Sequence, residues 1–168
     1  MDDFKFFSLS SEVETLFEQQ LSTKCRVDFM DNVSWFLGSK YEWETLTDKR
    51  LTVSITQTAK AEDIIDNHGM SDCNPIASPY RTGFPIDRIP HDGIPLEAKT
   101  TLVKKFQSLV GGVLWLQRQT RPDLSTIVSL LSSHSHNSSS GHYEAANRVL
   151  AYINGTLPGP RHTIYSRW

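Results

Sequence analysis

The side chains with the most chemical reach in this sequence are two adjacent carboxylates, Asp2 and Asp3, and a band of cations comprising Lys99, Lys104, Lys105, Arg118, Arg121 and Arg148. Neighbouring carboxylate oxygens suit a hard divalent cation such as Mg2+. On residue type alone, two acids behind Met1 read first as an ordinary frayed terminus, because the pair by itself is a weak motif. The cations are unevenly spread. Residues 1–98 carry 17 acidic and 9 basic side chains, and residues 99–168 carry 2 acidic and 8 basic ones. A basic half can displace counterions from a phosphate backbone, or it can be a solvated surface balanced by the acidic half. Charge leaves both readings open. Arg121 is the best placed of the set, because it stands at a helix start where backbone N–H groups already favour an anion. Lys104, Lys105 and Arg118 do not all share one helical face.

Other candidate chemistry is thin. His134-Ser135-His136 places two imidazoles on nearly opposite sides of a helix with no third ligand near in sequence, so a structural or polar role is expected. His142 is expected to pack in a first helical turn. Cys25 and Cys73 are far apart and form no CxxC pattern, which makes a reducing, intracellular compartment the default. No GxSxG, Walker or HExxH pattern occurs. No apolar run approaches the roughly 20 residues of a membrane span, and no basic region leads into an apolar core at the N-terminus.

The elements that must position these residues can be read from periodicity. Ser10 or Ser11 caps a helix to about Lys24 with Val13, Leu16, Phe17 and Leu21 on one face. Residues 3–7 and 27–29 read as short strands. Asp31-Asn32 reads as a turn, and Val33 to Trp43 as one continuous strand with Trp35, Leu37, Ser39, Tyr41 and Trp43 on a common face. Leu51, Val53 and Ile55 alternate as a further strand of an antiparallel meander. A helix from Thr58 to His68 ends at Gly69. Five of the eight prolines lie between Pro75 and Pro95, which reads as an extended linker. Three helices follow, near 99–118, 122–136 and 139–154. The first has Leu102, Phe106, Leu109, Val110, Val113 and Leu114 at the spacing of one buried stripe. Its adjacent Gly111 and Gly112 each cost about 1 kcal/mol against alanine, and close approach of another backbone is the expected compensation. His162 to Tyr165 reads as a last short strand. With 38% hydrophobic and 21% charged residues, the composition is that of a folded α+β chain.

Six blocks in order resemble one family. They are Asp2-Asp3-Phe4; VDFMDNVSWFLGSKYEW from Val27 to Trp43; Thr56-Gln57-Thr58-Ala59; Gly69-Met70 through Cys73-Asn74-Pro75, Ser78-Pro79-Tyr80 and Gly83; FQSLVGGVLWLQRQTRPD from Phe106 to Asp123; and Gly141-His142, Ala145-Ala146, Arg148-Val149-Leu150 and Asn154-Gly155-Thr156. Together they are similar to the reverse transcriptases of copia-type (Ty1/copia) retrotransposons over nearly the whole chain. The resemblance implies the C-terminal part of a polymerase palm (antiparallel strands plus two helices) over 1–70 and a proline-rich linker over 71–98. It further implies a three-helix thumb- or connection-like bundle over 99–156, and a tail over 157–168 carrying the first strand of a ribonuclease H region.

The same resemblance implies that Asp2 and Asp3 are catalytic and hold Mg2+ in the complete polymerase. A two-metal transfer of a nucleotide needs such carboxylates. It also implies that Trp35 and Gly38 belong to an element gripping the primer end, although on residue type alone Trp35 and Leu37 would fill the sheet core and Gly38 would mark a bulge or close approach. Lys104, Lys105, Arg118, Arg121 and Arg148 become candidate contacts to RNA template and RNA–DNA hybrid. The match begins at the catalytic turn and stops where ribonuclease H would start. The expectation is therefore a middle portion of a Pol protein, inactive alone and partnered by upstream fingers and palm and downstream ribonuclease H regions. A stand-alone basic helical module that binds nucleic acid, and a decayed element without function, are the alternatives.

Overall fold

In the computed structural model, which describes residues 6, 8, 10–30, 33–45, 51–81, 86, 95–157 and 162–165, the chain forms two compact units, Met1–Val33 and Ser34–Trp168. In the first, Ser10 is extended and its carbonyl accepts the Glu14 N–H at 3.1 Å. This starts helix α1, Ser11–Ser22, with Glu12 and Glu14 at the positive end of its dipole. Phe6 stacks on Phe17 with ring centroids 4.3 Å apart. The expected apolar face is not buried: Val13 and Leu16 are more than half exposed, and no residue of α1 is buried. Residues 27–29 form no strand, because a strand needs a hydrogen-bonded neighbour and no strand is described in this unit. The expected strand over 3–7, apart from Phe6, and the turn at Asp31-Asn32 lie outside the described residues.

The second unit opens with a correction. Val33 to Trp43 is not one strand but a hairpin of β1, Trp35–Phe36, and β2, Ser39–Thr45. Phe36 pairs with Ser39 and Trp35 with Lys40, which leaves Leu37-Gly38 as a two-residue turn. Both turn residues have positive φ, 48° and 74°, the requirement of the primed turn whose twist matches the strands. Reversing the chain there also reverses the faces. Trp35 lies on the side of Lys40, Glu42 and Glu44. Phe36 lies on the side of Ser39, Tyr41 and Trp43.

Strand β3, Leu51–Thr56, pairs antiparallel with β2, and β4, His162–Tyr165, pairs antiparallel with β3. The sheet order is β1-β2-β3-β4. The tail thus supplies a fourth strand to this sheet.

Helix α2, Thr58–Asn67, buries Ala61, Ile64 and Ile65. It ends in a Schellman motif: the Gly69 N–H reaches the Asp66 carbonyl and the Met70 N–H the Ile65 carbonyl, both at 3.0 Å. Gly69 has φ 66° there. Helix α3, Leu96–Gln119, is the long central helix. A 3₁₀ turn at Pro122–Leu124 leads into α4, Ser125–Ser133, and then comes α5, Ser140–Gly155. Phe106, Leu109, Val110, Val113 and Leu116 of α3 meet Leu124, Ile127, Val128 and Leu131, together with Ala146, Val149, Leu150 and Ile153. Ala61, Ile64 and Ile65 of α2 join the same core, so the helix before the prolines is packed with the helices after them.

The glycine pair does not meet another backbone. A Cβ on Gly112 would lie 3.1 Å from the Ile64 side chain, whereas one on Gly111 would meet nothing within 4 Å. The described part of the proline-rich segment, residues 71–81 and 86, carries several ties to the helical core. Ile86 is buried, Met70 and Tyr80 pack on the core, and the Asn154 side chain donates to the Ser71 carbonyl at 3.4 Å. Ser139 caps α5. Its N–H donates to His142 Nδ1 at 3.1 Å, and its hydroxyl lies 2.8 Å from the same nitrogen. His142 therefore serves the role usually taken by Glu or Gln in a capping box.

Candidate nucleic-acid interface

The hairpin tip and the C-terminal end of α3 are held together by polar side chains. Ser39, fully buried, donates its hydroxyl to Gln119 Oε1. Thr120 donates to Gln57 Oε1 at 2.7 Å in the interior. This seats the Leu37-Gly38 turn beside Trp115, whose Nε1 is 3.7 Å from where a Gly38 Cβ would stand. That distance is ordinary contact, so glycine is needed here for its φ and not for space.

Around this seat the aromatic and aliphatic side chains are open. Trp35 is 54% exposed, Leu37 50% and Trp115 37%. Residue type alone assigned Trp35 and Leu37 to the core; the turn puts them outside it instead. Trp115 was not singled out by sequence. Its signal was available, because it falls off the stripe that runs through Phe106, Leu109, Val113 and Leu116.

The candidate cations divide into three groups. Lys104, Lys105 and Arg118 are exposed and have no carboxylate partner among the described residues. Lys104 and Lys105 line a cleft of 360 Å³ with Asn67, His68, Ser108 and Tyr143. The His68 imidazole is held below its ordinary pKa, first by burial and then by the charge of Lys105. Arg148 is half-buried, with Nε out of solvent and lacking a hydrogen-bond partner among the described residues.

Arg121 departs from the sequence reading. It is 4% exposed, and its Nε and Nη2 grip the Asp123 carboxylate at 3.0 and 2.8 Å. Its guanidinium carbon lies 5.2 Å from the Tyr152 ring centroid. With its Nε and Nη2 committed to a carboxylate and the side chain out of solvent, this guanidinium is not presented to an external phosphate. Burial alone would raise the Asp123 carboxyl, but the hydrogen bonds and charge of Arg121, with a further bond from Tyr152, hold it below its ordinary value.

Asp2 and Asp3 lie outside the described residues. Among the described ones no group of three or more His, Cys, Asp or Glu side chains could hold a metal ion. His134 meets His142 with ring centroids 4.3 Å apart, a stacking contact at the α5 cap. No helix among the described residues is long and apolar enough to cross a membrane.

Comparison with known proteins finds similarity to a transposon polyprotein and to an uncharacterized mitochondrial protein. It is 29% identical over 147 residues to the retrovirus-related Pol polyprotein from transposon RE2 of Arabidopsis thaliana, covering 86% of this chain and 9% of that protein. It is 27% identical over 157 residues to an uncharacterized mitochondrial protein of Arabidopsis thaliana, covering 94% of this chain and 60% of that protein. The chain therefore spans less than two thirds of either relative. These similarities support a relationship to a retrotransposon Pol polyprotein. No protein-family model and no solved structure matches.

Proposed function

We propose that these 168 residues are the part of a copia-type reverse transcriptase that grips template–primer, with the hairpin tip and the exposed cations of α3 as the contact groups. The observation that carries this reading is the seating of the exposed hairpin turn, flanked by Trp35, beside Trp115 by the Ser39–Gln119 and Gln57–Thr120 bonds. A rigid hairpin with exposed indoles offers stacking surface to bases. Lys104, Lys105 and Arg118 offer unpaired charge to phosphates. Arg121 drops out of the contact set and becomes a structural residue.

Asp2 and Asp3 belong to the reading as the carboxylates that would hold magnesium in the complete polymerase. On this reading the 168 residues do not extend a primer by themselves. RNA template and RNA–DNA hybrid are the proposed ligands, and fingers, palm and ribonuclease H regions the proposed intramolecular partners.

The test is fluorescence anisotropy of a labelled RNA–DNA hybrid against the 168-residue chain over a salt series. Affinity should fall steeply with salt. Trp35→Ala should weaken it by roughly tenfold, given about 1–3 kcal/mol per stacked base, and Arg118→Gln should flatten the salt slope by about 1. Binding that ignores both substitutions and salt would sink the reading.

A further inference from the structure

We infer that the cleft formed by His68 at the end of α2, Lys104, Lys105 and Ser108 on α3, and Tyr143 on α5 seats a single phosphate group. Every side chain lining it, Asn67 included, can donate a hydrogen bond, and none is a carboxylate. Lys104 and Lys105 are consecutive on one turn and carry no ion pair among the described residues. Their charge is left for something from outside. Tyr143 brings α5 to the cleft as its third wall. On the other side, the Asp66 and Ile65 carbonyls near the end of α2 are taken by the Gly69 and Met70 N–H groups.

A second observation is the state of His68. Its ring is part-buried beside Lys105, and both effects discourage the imidazolium. An anion seated between His68 and the two lysines reverses that balance, because it cancels the repulsion from Lys105 and supplies an acceptor for the ring N–H. Phosphate binding should then draw a proton onto His68. The groups facing the ring are Lys104 and Lys105 from α3 and Tyr143 from α5, with Asn67 beside it on α2. The Asn67 amide is partly engaged, since it donates to Asp63 at 3.1 Å. Arg118 stands about 20 Å further along α3 at 1.5 Å per residue, so the cleft is separate from the hairpin surface. The phosphate has two possible sources, a nucleic-acid backbone or a free phosphate ion. The first deepens the template–primer reading and rests on it.

The experiment follows the His68 Cε1–H resonance of the whole chain by NMR through a pH titration, in inorganic phosphate and in chloride at equal ionic strength. The expected result is an upward move of the His68 midpoint in phosphate only, saturating with concentration and lost in Lys105→Gln. Lys105→Gln should itself raise the His68 midpoint in chloride, and Arg118→Gln should leave the phosphate response intact. An identical midpoint in phosphate and chloride overturns the site. Adding an RNA–DNA hybrid separates the sources. If the hybrid moves His68 and Lys105→Gln lowers its salt slope by about 1, the backbone is the occupant. If inorganic phosphate moves His68 and the hybrid does not bind, the cleft stands as a free-phosphate site and the template–primer reading falls. If the hybrid binds through Trp35 while neither ligand moves His68, the cleft falls and the template–primer reading stands.

Discussion

The hydroxyl of Thr120 donates to Gln57 Oε1 at 2.7 Å with both residues nearly excluded from solvent. The two are 63 positions apart and close the joint between the sheet and the central helix. Gln57 already carries one buried nitrogen without a hydrogen-bond partner among the described residues, so its oxygen has little margin. Thr120→Val preserves shape and leaves that oxygen unsatisfied, which costs about 1–3 kcal/mol. Chemical denaturation should report this as a lower midpoint with an unchanged slope. A neutral result would mean that the bond does not hold the joint.

Leu37 sits at φ 48° in the first position of the hairpin turn, where a branched side chain is strained by roughly 1–2 kcal/mol. Leu37→Asn relieves that strain and should raise stability by about 1 kcal/mol. If Leu37 also belongs to the contact surface, the same variant binds RNA–DNA hybrid more weakly while being more stable. Stability and affinity moving in opposite directions is the signature to look for in paired melting and anisotropy measurements.

Arg121 and Lys105 should separate cleanly as structural and ligand-facing cations. Arg121→Gln breaks a forked pair with Asp123 and leaves a polar group in a largely buried place, costing about 2–3 kcal/mol, and it should leave the salt slope of hybrid binding unchanged. Lys105→Gln should do the reverse. The Asp123 carboxyl is held below its ordinary value, so its contribution is fully present above the unfolded carboxyl range and is lost as pH falls through the folded value. Unfolding followed below about pH 4, the ordinary aspartate range, should therefore show an acid loss in the parent that is reduced in Arg121→Gln.

The glycine pair gives opposite expectations from adjacent positions. Gly111→Ala adds a Cβ into open space and should stabilise by about 1 kcal/mol through helix propensity. Gly112→Ala gains the same propensity but presses a Cβ to 3.1 Å from Ile64, an overpacking that should cancel or exceed the gain. Thermal melts of the two single variants would show whether Ile64 can yield. Equal stabilisation by both would mean that the α2–α3 contact is softer than this geometry implies.

Helical periodicity carried most of the secondary structure. Phe106, Leu109, Val110 and Val113 of the expected α3 stripe are buried, while its Leu102 and Leu114 are half-buried. Leu124, Ile127, Val128, Leu131, Ala146, Leu150 and Ile153 of the following helices are buried, and Tyr143 is half-buried. Ser139 opens α5 as an N-cap and Gly69 closes α2 at positive φ, each where its residue type favours that position. These features are local, set by residues within a few positions of each other, and the resemblance to transposon polymerases rests on the same local blocks. What only the tertiary structure decided depends on parity and on distant partners. The Leu37-Gly38 turn swaps odd and even faces, so Trp35 moves to the opposite side from Ser39 and out of the core. Arg121 has every sequence mark of a phosphate contact, yet the fold folds it inward onto Asp123 and over Tyr152. The cleft at His68 exists only because α2, α3 and α5 converge there. No spacing along the chain encodes that convergence, since hydrophobic burial chooses which faces meet and is indifferent to the polar residues carried along at their edges.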